Sequence, residues 1–438
     1  MGMADAKVLD ERKTGGNGAH GSATRTEISS GHEAKLDRLA EVAVRVGLGS
    51  VKGQELVMTA PLEALPLARR ITEHAYKAGA TLVTTLFTDE EATLMRFRYA
   101  PDESFDRAAE WLAHGVAEAY RSGSARLAIT GSNPALLAKE DPGKVARANL
   151  AYSKVSKPAM ELITRHYINW TIVPCATPAW ARLVFPNEPE DMAVQRLWDA
   201  IFASIRIDTP DPIAAWRTHA ENLERRVQYL NTKHYAALQF HGPGTDLRVG
   251  LADDHLWLGG GAKAQNGIEC QPNMPTEEVF TTPHKDRVEG TVVSTKPLSY
   301  QGTLIENIRV RFEGGRITEV SATKGESTIR SMIETDEGAR RLGEVALVPH
   351  SSPIAKSGLL FWNTLFDENA ASHIALGQAY STCLRNGDSL DQAALTALGA
   401  NSSLIHVDWM IGSGDMDVDG ITAEGKAEPL MRQGEWVS

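Results

Sequence analysis

The order of secondary structure between residues 55 and 131 constrains this chain more than any other feature. ELVMTA reads as a buried strand, residues 64–78 carry helical spacing that stops at Gly79, and TLVTTLF reads as a second strand. A helix over 105–121 then leads into ARLAITG, a third strand. Strands joined through helices pair in parallel with right-handed crossovers, so this half is expected to be a layered α/β domain. Order begins near Glu33, where KLDRLAEVAVRVGLG has helical spacing and a glycine stop. Residues 1–32, rich in Gly, Ser and Thr, read as a disordered or loose arm that leaves His20 and His32 in solvent.

Further along, the pattern changes. Residues 146–231 are helical and rich in Trp; Trp180, Trp198 and Trp216 read as packing groups. WTIVPCATPAWARLVFP, broken by Pro174, Pro178 and Pro186, reads as an irregular connection. A linker or boundary is expected near 210–235, because ALQFHG, DLRVGLA, HLWLGG, RVEGTVVSTK and ENIRVRFEGGRITEVSATKG follow as strands with glycine turns. Such strands pair into an antiparallel or mixed sheet. The expected organisation is an arm (1–32), an α/β domain (33–230) and a C-terminal α+β domain (231–438), a division that suits 438 residues.

Charge and composition narrow the partners. A net charge of -11 argues against nucleic acid or an anionic membrane as partner. No run of about 18 apolar residues exists to span a bilayer, and the first residues lack the apolar core of a signal peptide. Cys175, Cys270 and Cys383 are odd in number and widely spaced, which indicates neither a disulfide framework nor a thiolate zinc site and fits a cytoplasmic location. TAPLEALP follows the first strand where a dinucleotide fold needs glycines, and HGPGTDLRVG offers only G-x-G, so no nucleotide cofactor is expected.

Polar groups sit where a core would want none in FWNTLFDENAASHIALGQAY and NSSLIHVDWMIGSGDMDVD. Residues 369–380 have a helical rhythm that puts His373, Gly377 and Tyr380 on one face. Residues 404–411 alternate as a strand, with His406, Asp408 and Met410 on one side and Val407, Trp409 and Ile411 on the other. An imidazole beside a carboxylate suits a divalent metal. In NMPTEEVFTTP, Glu277 and Glu278 point to opposite faces at strand spacing, so at most one enters a shared site; alternatively Thr276 caps a helix. In RRLGEVALVP, Glu344 interrupts a buried strand and needs a metal, a proton or a cation such as Arg340 or Arg341.

PNMPTEEVFTTP, EGTVVSTKPLSYQG, DEGARRLGEVALVP, NTLFDENAASHIALGQAY and HVDWMIGS, in this order, resemble the thermophilic aminopeptidase family, the aminopeptidase T and S type of bacterial metallo-aminopeptidase. The likeness runs from about residue 34 to 425 and includes AVRVGL, TAPLEALPLAR, WTIVPCATPAWA and HGPGTDLRVGL. It implies a hydrolase with two divalent metal ions per chain (zinc, cobalt, manganese or magnesium) held by Glu278, Glu344, His373, His406 and Asp408. It also implies removal of N-terminal residues, such as Leu, from peptides through a metal-bridged water. Glu344 would bridge the metals or accept the water proton, with Glu277 the runner-up base. Tyr380 would act as ligand or as donor to the developing oxyanion. A homodimer is the implied assembly. A non-catalytic metal-containing binding protein and a dinuclear amidase acting on non-peptide amides remain the alternatives.

Overall fold

The computed structural model describes residues 19–49, 51–300 and 303–437. Its first half is built on a four-stranded parallel sheet, ordered Leu82–Thr88, Glu55–Pro61, Ala125–Thr130, Trp170–Pro174. The crossover helix Leu65–Lys77 turns Leu67, Ala68, Ile71 and Ala75 onto this sheet, the apolar stripe its spacing encodes. Three later helices start in the same way. Asp141, Thr177 and Asp211 each cap an N-terminus with the side chain, and proline follows in the first turn.

Four expectations change here. WTIVP is the fourth parallel strand rather than an irregular connection, because Pro174 lies at its last position, where the missing N–H costs little. Where a linker or boundary is expected near 210–235, the chain forms a 22-residue helix, Pro212–Lys233, rather than a loose linker. Its Trp216 belongs to the core of the parallel half, and its Leu223, Val227 and Leu230 belong to the core of the antiparallel half. Of the expected arm, residues 1–18 lie outside the described residues, and the helix Ala19–Val42 begins within the remainder. His32 is not solvated: its ring packs against Trp198 and Phe202 at 5.5 and 5.7 Å.

The second half carries two larger antiparallel sheets. One, of eight strands, includes Ala237–Gly242, Thr245–Leu251, Pro283–Val293 and Arg309–Glu313. The other, of five, is ordered His406–Met410, His373–Gly377, Leu342–Leu347, Val279–Thr281, Leu258–Gly259. Phe240, Leu247, Val292 and Phe312 of the first sheet share a core with Val345, Ile374, Leu376 and Trp409 of the second. The helix expected over 369–380 is therefore absent. Residues 373–377 are a central strand, buried at every position, and a fully buried run carries no alternation to separate it from a helix. Thr276 caps no helix, since its segment runs into the strand Val279–Thr281.

The two halves are knit at one place that matters below. Ile172 of the parallel sheet pairs with Asn273, and Thr171 Oγ1 donates to the carbonyl of Gln271. The chain segment carrying Glu277 and Glu278 thus leaves directly from the parallel sheet. Among the described residues, no helix is long and apolar enough to cross a membrane.

Candidate metal centre

Cross-strand pairing brings the acids and imidazoles onto one face of the five-stranded sheet. Residues directly opposite on antiparallel strands share a face, as do residues two apart. Glu344 opposes Ala375, and Ala375 opposes Asp408, so two carboxylates flank a methyl group in one row. His373 lies two residues before Ala375 on the same strand, and His406 two before Asp408. The small side chain of Ala375 leaves the space between them open. The other face carries Val345, Ile374 and Trp409 into the core.

The distances define two linked groups. His373 Nε2 lies 3.1 Å from Glu278 Oε2 and 3.6 Å from Glu344 Oε1. His406 Nε2 lies 3.5 Å from Glu344 Oε2 and 3.4 Å from Asp408 Oδ1. One atom each from Glu278, Glu344 and His373 lie within 4.8 Å of one another, and so do atoms from Glu344, His406 and Asp408. Glu344 belongs to both groups. Each ring is oriented from behind: His373 Nδ1 donates to the Ala371 carbonyl (3.1 Å) and His406 Nδ1 to the Gln378 carbonyl (2.7 Å). That leaves both Nε2 atoms directed at the carboxylates, the arrangement a metal-binding imidazole requires.

Three observations show that a divalent cation fits. Glu278 Oε2 and Asp408 Oδ1 are buried and face only the imidazole Nε2 atoms, without a well-aligned hydrogen bond, a costly state for a carboxylate oxygen. Among the described residues no Lys or Arg pairs with Glu278, Glu344 or Asp408; Arg340 and Arg341 turn instead to Glu334 and to Asp286 and Glu337. The protonation pattern points the same way. Burial pushes the Glu344 carboxyl up, yet His373 and His406 hold it down at about 2. Burial opposes charge on the rings, but Asp408 and Glu344 push His406 up to about 11, and Glu278 and Glu344 hold His373 well above the ordinary imidazole range. The cluster thus favours positive charge at both Nε2 atoms, where a metal ion would compete with protons.

Tyr380 stands at the rim, 42% exposed, its ring 4.8 Å from that of His406 and 6.1 Å from Phe280. It follows the strand rather than sharing a helix face with His373. Glu277 does not enter the cluster. Its carboxylate takes Arg206 Nη2 at 2.6 Å, and it sits 3.7 Å from His219.

Sequence pattern alone did not mark Glu368. Burial raises its pKa well above the usual carboxylate range, and the charges of Glu278, Asp408 and Glu344 add to the shift, which places it in the field of the cluster. It occupies a 3-10 turn, where no periodicity exposes a functional face. The one signal it gives in sequence is the acid pair Asp367–Glu368 between Phe366 and Ala370. A small cleft lined by Leu298, Ser299, Thr364, Glu368, Asp408 and Met410 leads to this side of the site.

A buried set of carboxylates and oriented imidazoles sharing one acid suits a hydrolase that works with divalent metal. Residues 32–436 match the family described as thermophilic metalloprotease (M29), and the chain belongs to that family. It is 54% identical to Aminopeptidase T of Thermus thermophilus over 402 residues, covering 92% of this chain and 98% of the relative. It is 47% identical to Aminopeptidase 2 of Geobacillus stearothermophilus over 404 residues, again covering 92% and 98%. The solved structure of wild-type AmpT from Thermus thermophilus superposes with a TM-score of 0.88 at 53% identity, covering 92% of this chain and 99% of that one.

Proposed function

We propose that the protein is a metallo-aminopeptidase that releases the N-terminal residue of peptides at two divalent cations. The observation that carries this reading is the sharing of Glu344 between two ligand groups. Glu278, Glu344 and His373 would hold one ion, and Glu344, His406 and Asp408 the other. Oxygen and nitrogen donors without a thiolate suit zinc, cobalt, manganese or magnesium. When bound, such ions polarise the scissile carbonyl and acidify water.

The chain's own groups supply the rest. Both oxygens of Glu344 face imidazoles, Glu277 is taken by Arg206, and both oxygens of Asp367, which also lines the cleft, accept backbone N–H groups, so Glu368 is the acid left to accept a proton from water and return it to the leaving amine. Its Oε1 accepts a long hydrogen bond, 3.4 Å, from Asn369 Nδ2. The Tyr380 phenol, at the rim beside His406, would donate to the oxyanion as it forms. Asp408 and Glu368, on the cleft side, would receive the ammonium of a free N-terminus, and this selects exopeptidase over endopeptidase action.

Relatives named aminopeptidase over almost their whole length support the substrate class. A homodimer is supported by exposed aromatic side chains on three helices of the parallel half, Tyr99, Trp111 and Tyr152. Three buried free thiols support a cytoplasmic location. The test is release of leucine from a Leu-peptide by protein stripped with chelator and reloaded with each of the four metals. Metal-dependent release that N-acetylation of the peptide blocks is the expected result. Equal cleavage of the acetylated peptide, or two bound ions without turnover on peptides or amides, would overturn it.

A further inference from the structure

Glu278 leads into a strand of only three residues, so little ladder pairing holds the backbone that delivers it. The preceding residues are instead fastened from outside the site sheet. His219 Nε2 lies 2.8 Å from the Thr276 carbonyl, and its Nδ1 lies 3.0 Å from Arg206 Nη2. A guanidinium nitrogen can only donate, so Nδ1 accepts and Nε2 carries the hydrogen that Thr276 receives. Arg206 Nη2 also reaches Glu277 Oε1 at 2.6 Å. The Glu277 N–H donates to Asn369 Oδ1 at 2.7 Å.

These groups come from elsewhere in the fold. Arg206 lies just beyond the helix Glu190–Ser204, with a left-handed backbone (φ 63°) and its guanidinium 5.3 Å from the centre of the Trp216 ring. His219 lies one turn after Trp216 on the helix Pro212–Lys233, its ring edge-on to that indole at 5.7 Å. Glu277 is 4% exposed, so its charge has no solvent to fall back on.

We propose that Arg206, His219 and Glu277 form a buried clamp that positions Glu278 as a metal ligand, tying one of the two cation sites to the helical layer of the parallel half. The clamp rests on the metal-centre reading above. Its members are positioning residues that touch neither metal nor substrate. Glu278 belongs to one ligand group only, so the clamp acts on one ion and leaves the other alone. Orienting partners of metal ligands typically change affinity about 10- to 100-fold.

The test is a cobalt titration of chelator-stripped full-length protein, with melting followed in parallel. Wild type is expected to bind two ions. Arg206→Met should weaken one class of site about 10- to 100-fold, while the other stays within about threefold of wild type, and saturating cobalt should restore turnover. Arg206→Lys should recover part of the loss. Should Arg206→Met fail to fold, Glu277→Gln and His219→Leu carry the same expectation, and His219→Gln, which can still donate to Thr276, should bind nearly as wild type does. Folded Arg206→Met, or folded Glu277→Gln and His219→Leu in its place, with both sites unchanged overturns the clamp alone. Loss at both sites to the same degree also overturns it, as a general effect on structure. Wild-type protein that takes up no cobalt overturns the metal-centre reading and the clamp with it.

Discussion

Gly377→Ala tests whether the close approach of two strands sets the position of His406. Gly377 ends its strand at φ 107°, opposite His406, and a Cβ there would lie 2.1 Å from the Ile405 carbonyl oxygen. A comfortable carbon–oxygen contact is about 3.3 Å, so Ile405 would have to retreat by roughly 1 Å. Ile405 precedes His406, and its carbonyl also accepts the Gln378 N–H at 2.7 Å, while the Gln378 carbonyl holds His406 Nδ1. Positive φ costs a residue with a Cβ about 1–2 kcal/mol, and forcing atoms into a packed site adds about 1–3 kcal/mol. The expected loss is therefore about 2–5 kcal/mol in chemical denaturation, together with weaker cobalt binding. Gly358→Ala provides the comparison, because Gly358 has φ 66° and an added Cβ there would meet nothing within 4 Å, so it should lose only the backbone contribution, about 1–2 kcal/mol. If Gly377→Ala is no less stable than Gly358→Ala, or binds cobalt as wild type does, the strand contact does not set His406.

Glu344→Gln should weaken both ions by more than about 100-fold, the upper effect of losing a mere orienting partner, and turnover should fall with them; a variant that retains two ions and normal rate refutes the shared-ligand assignment. Tyr380→Phe should lower kcat about 10²- to 10³-fold with little change in KM, the range for losing one oxyanion donor; an unchanged kcat removes the phenol from the reaction. For His219, burial and the facing charge of Arg206, with Arg226 beyond it, lower the pKa from 6.5 to about 3, while Glu277 stands on the opposite side. A depressed folded value means the unfolded chain takes up a proton that the native state refuses, so stability is full above about pH 6.5 and is lost as pH falls toward 3, by up to 1.36 kcal/mol per pH unit. His219→Gln should flatten that limb of the metal-free denaturation profile, and parallel profiles for the two proteins would refute the assignment.

The parts of the site that were legible in sequence are those set by local period. His406 and Asp408 share one face while Trp409 points to the core from the other, because alternation survives in a strand with one polar side. Glu344 stood out as a carboxylate within an apolar run. His373–Gly377 was misread because its five residues are all buried, and the helical spacing of His373, Gly377 and Tyr380 was coincidental. WTIVP was obscured by its terminal proline, and Glu368 by a turn with no period at all. The choice between Glu277 and Glu278 was not local. Strand spacing shows that one of the two turns away, but what holds Glu277 outside the cluster is Arg206, 71 residues upstream.

Charge distribution explains why two adjacent acids have such different surroundings. Glu277 faces inward to an arginine, a protein cation that folding itself supplies. Glu278, Glu344 and Asp408 face a region where no described Lys or Arg pairs with them, and Glu368 lies in their field. Leaving that many carboxylates uncompensated in a buried site is too expensive to persist, so either protons or external cations must arrive. With the two dications proposed, three acids would leave an excess of positive charge, and that would repel the ammonium of a peptide N-terminus. The fourth, Glu368, ionised beside the ions, brings the centre to neutrality and lets a cationic terminus approach while the carbonyl is still polarised. Glu368→Gln should therefore lower kcat, because the proton acceptor is lost, and also raise KM for peptides with a free N-terminus, while both ions stay bound. That is a different signature from the loss of a ligand, which would empty a cation site.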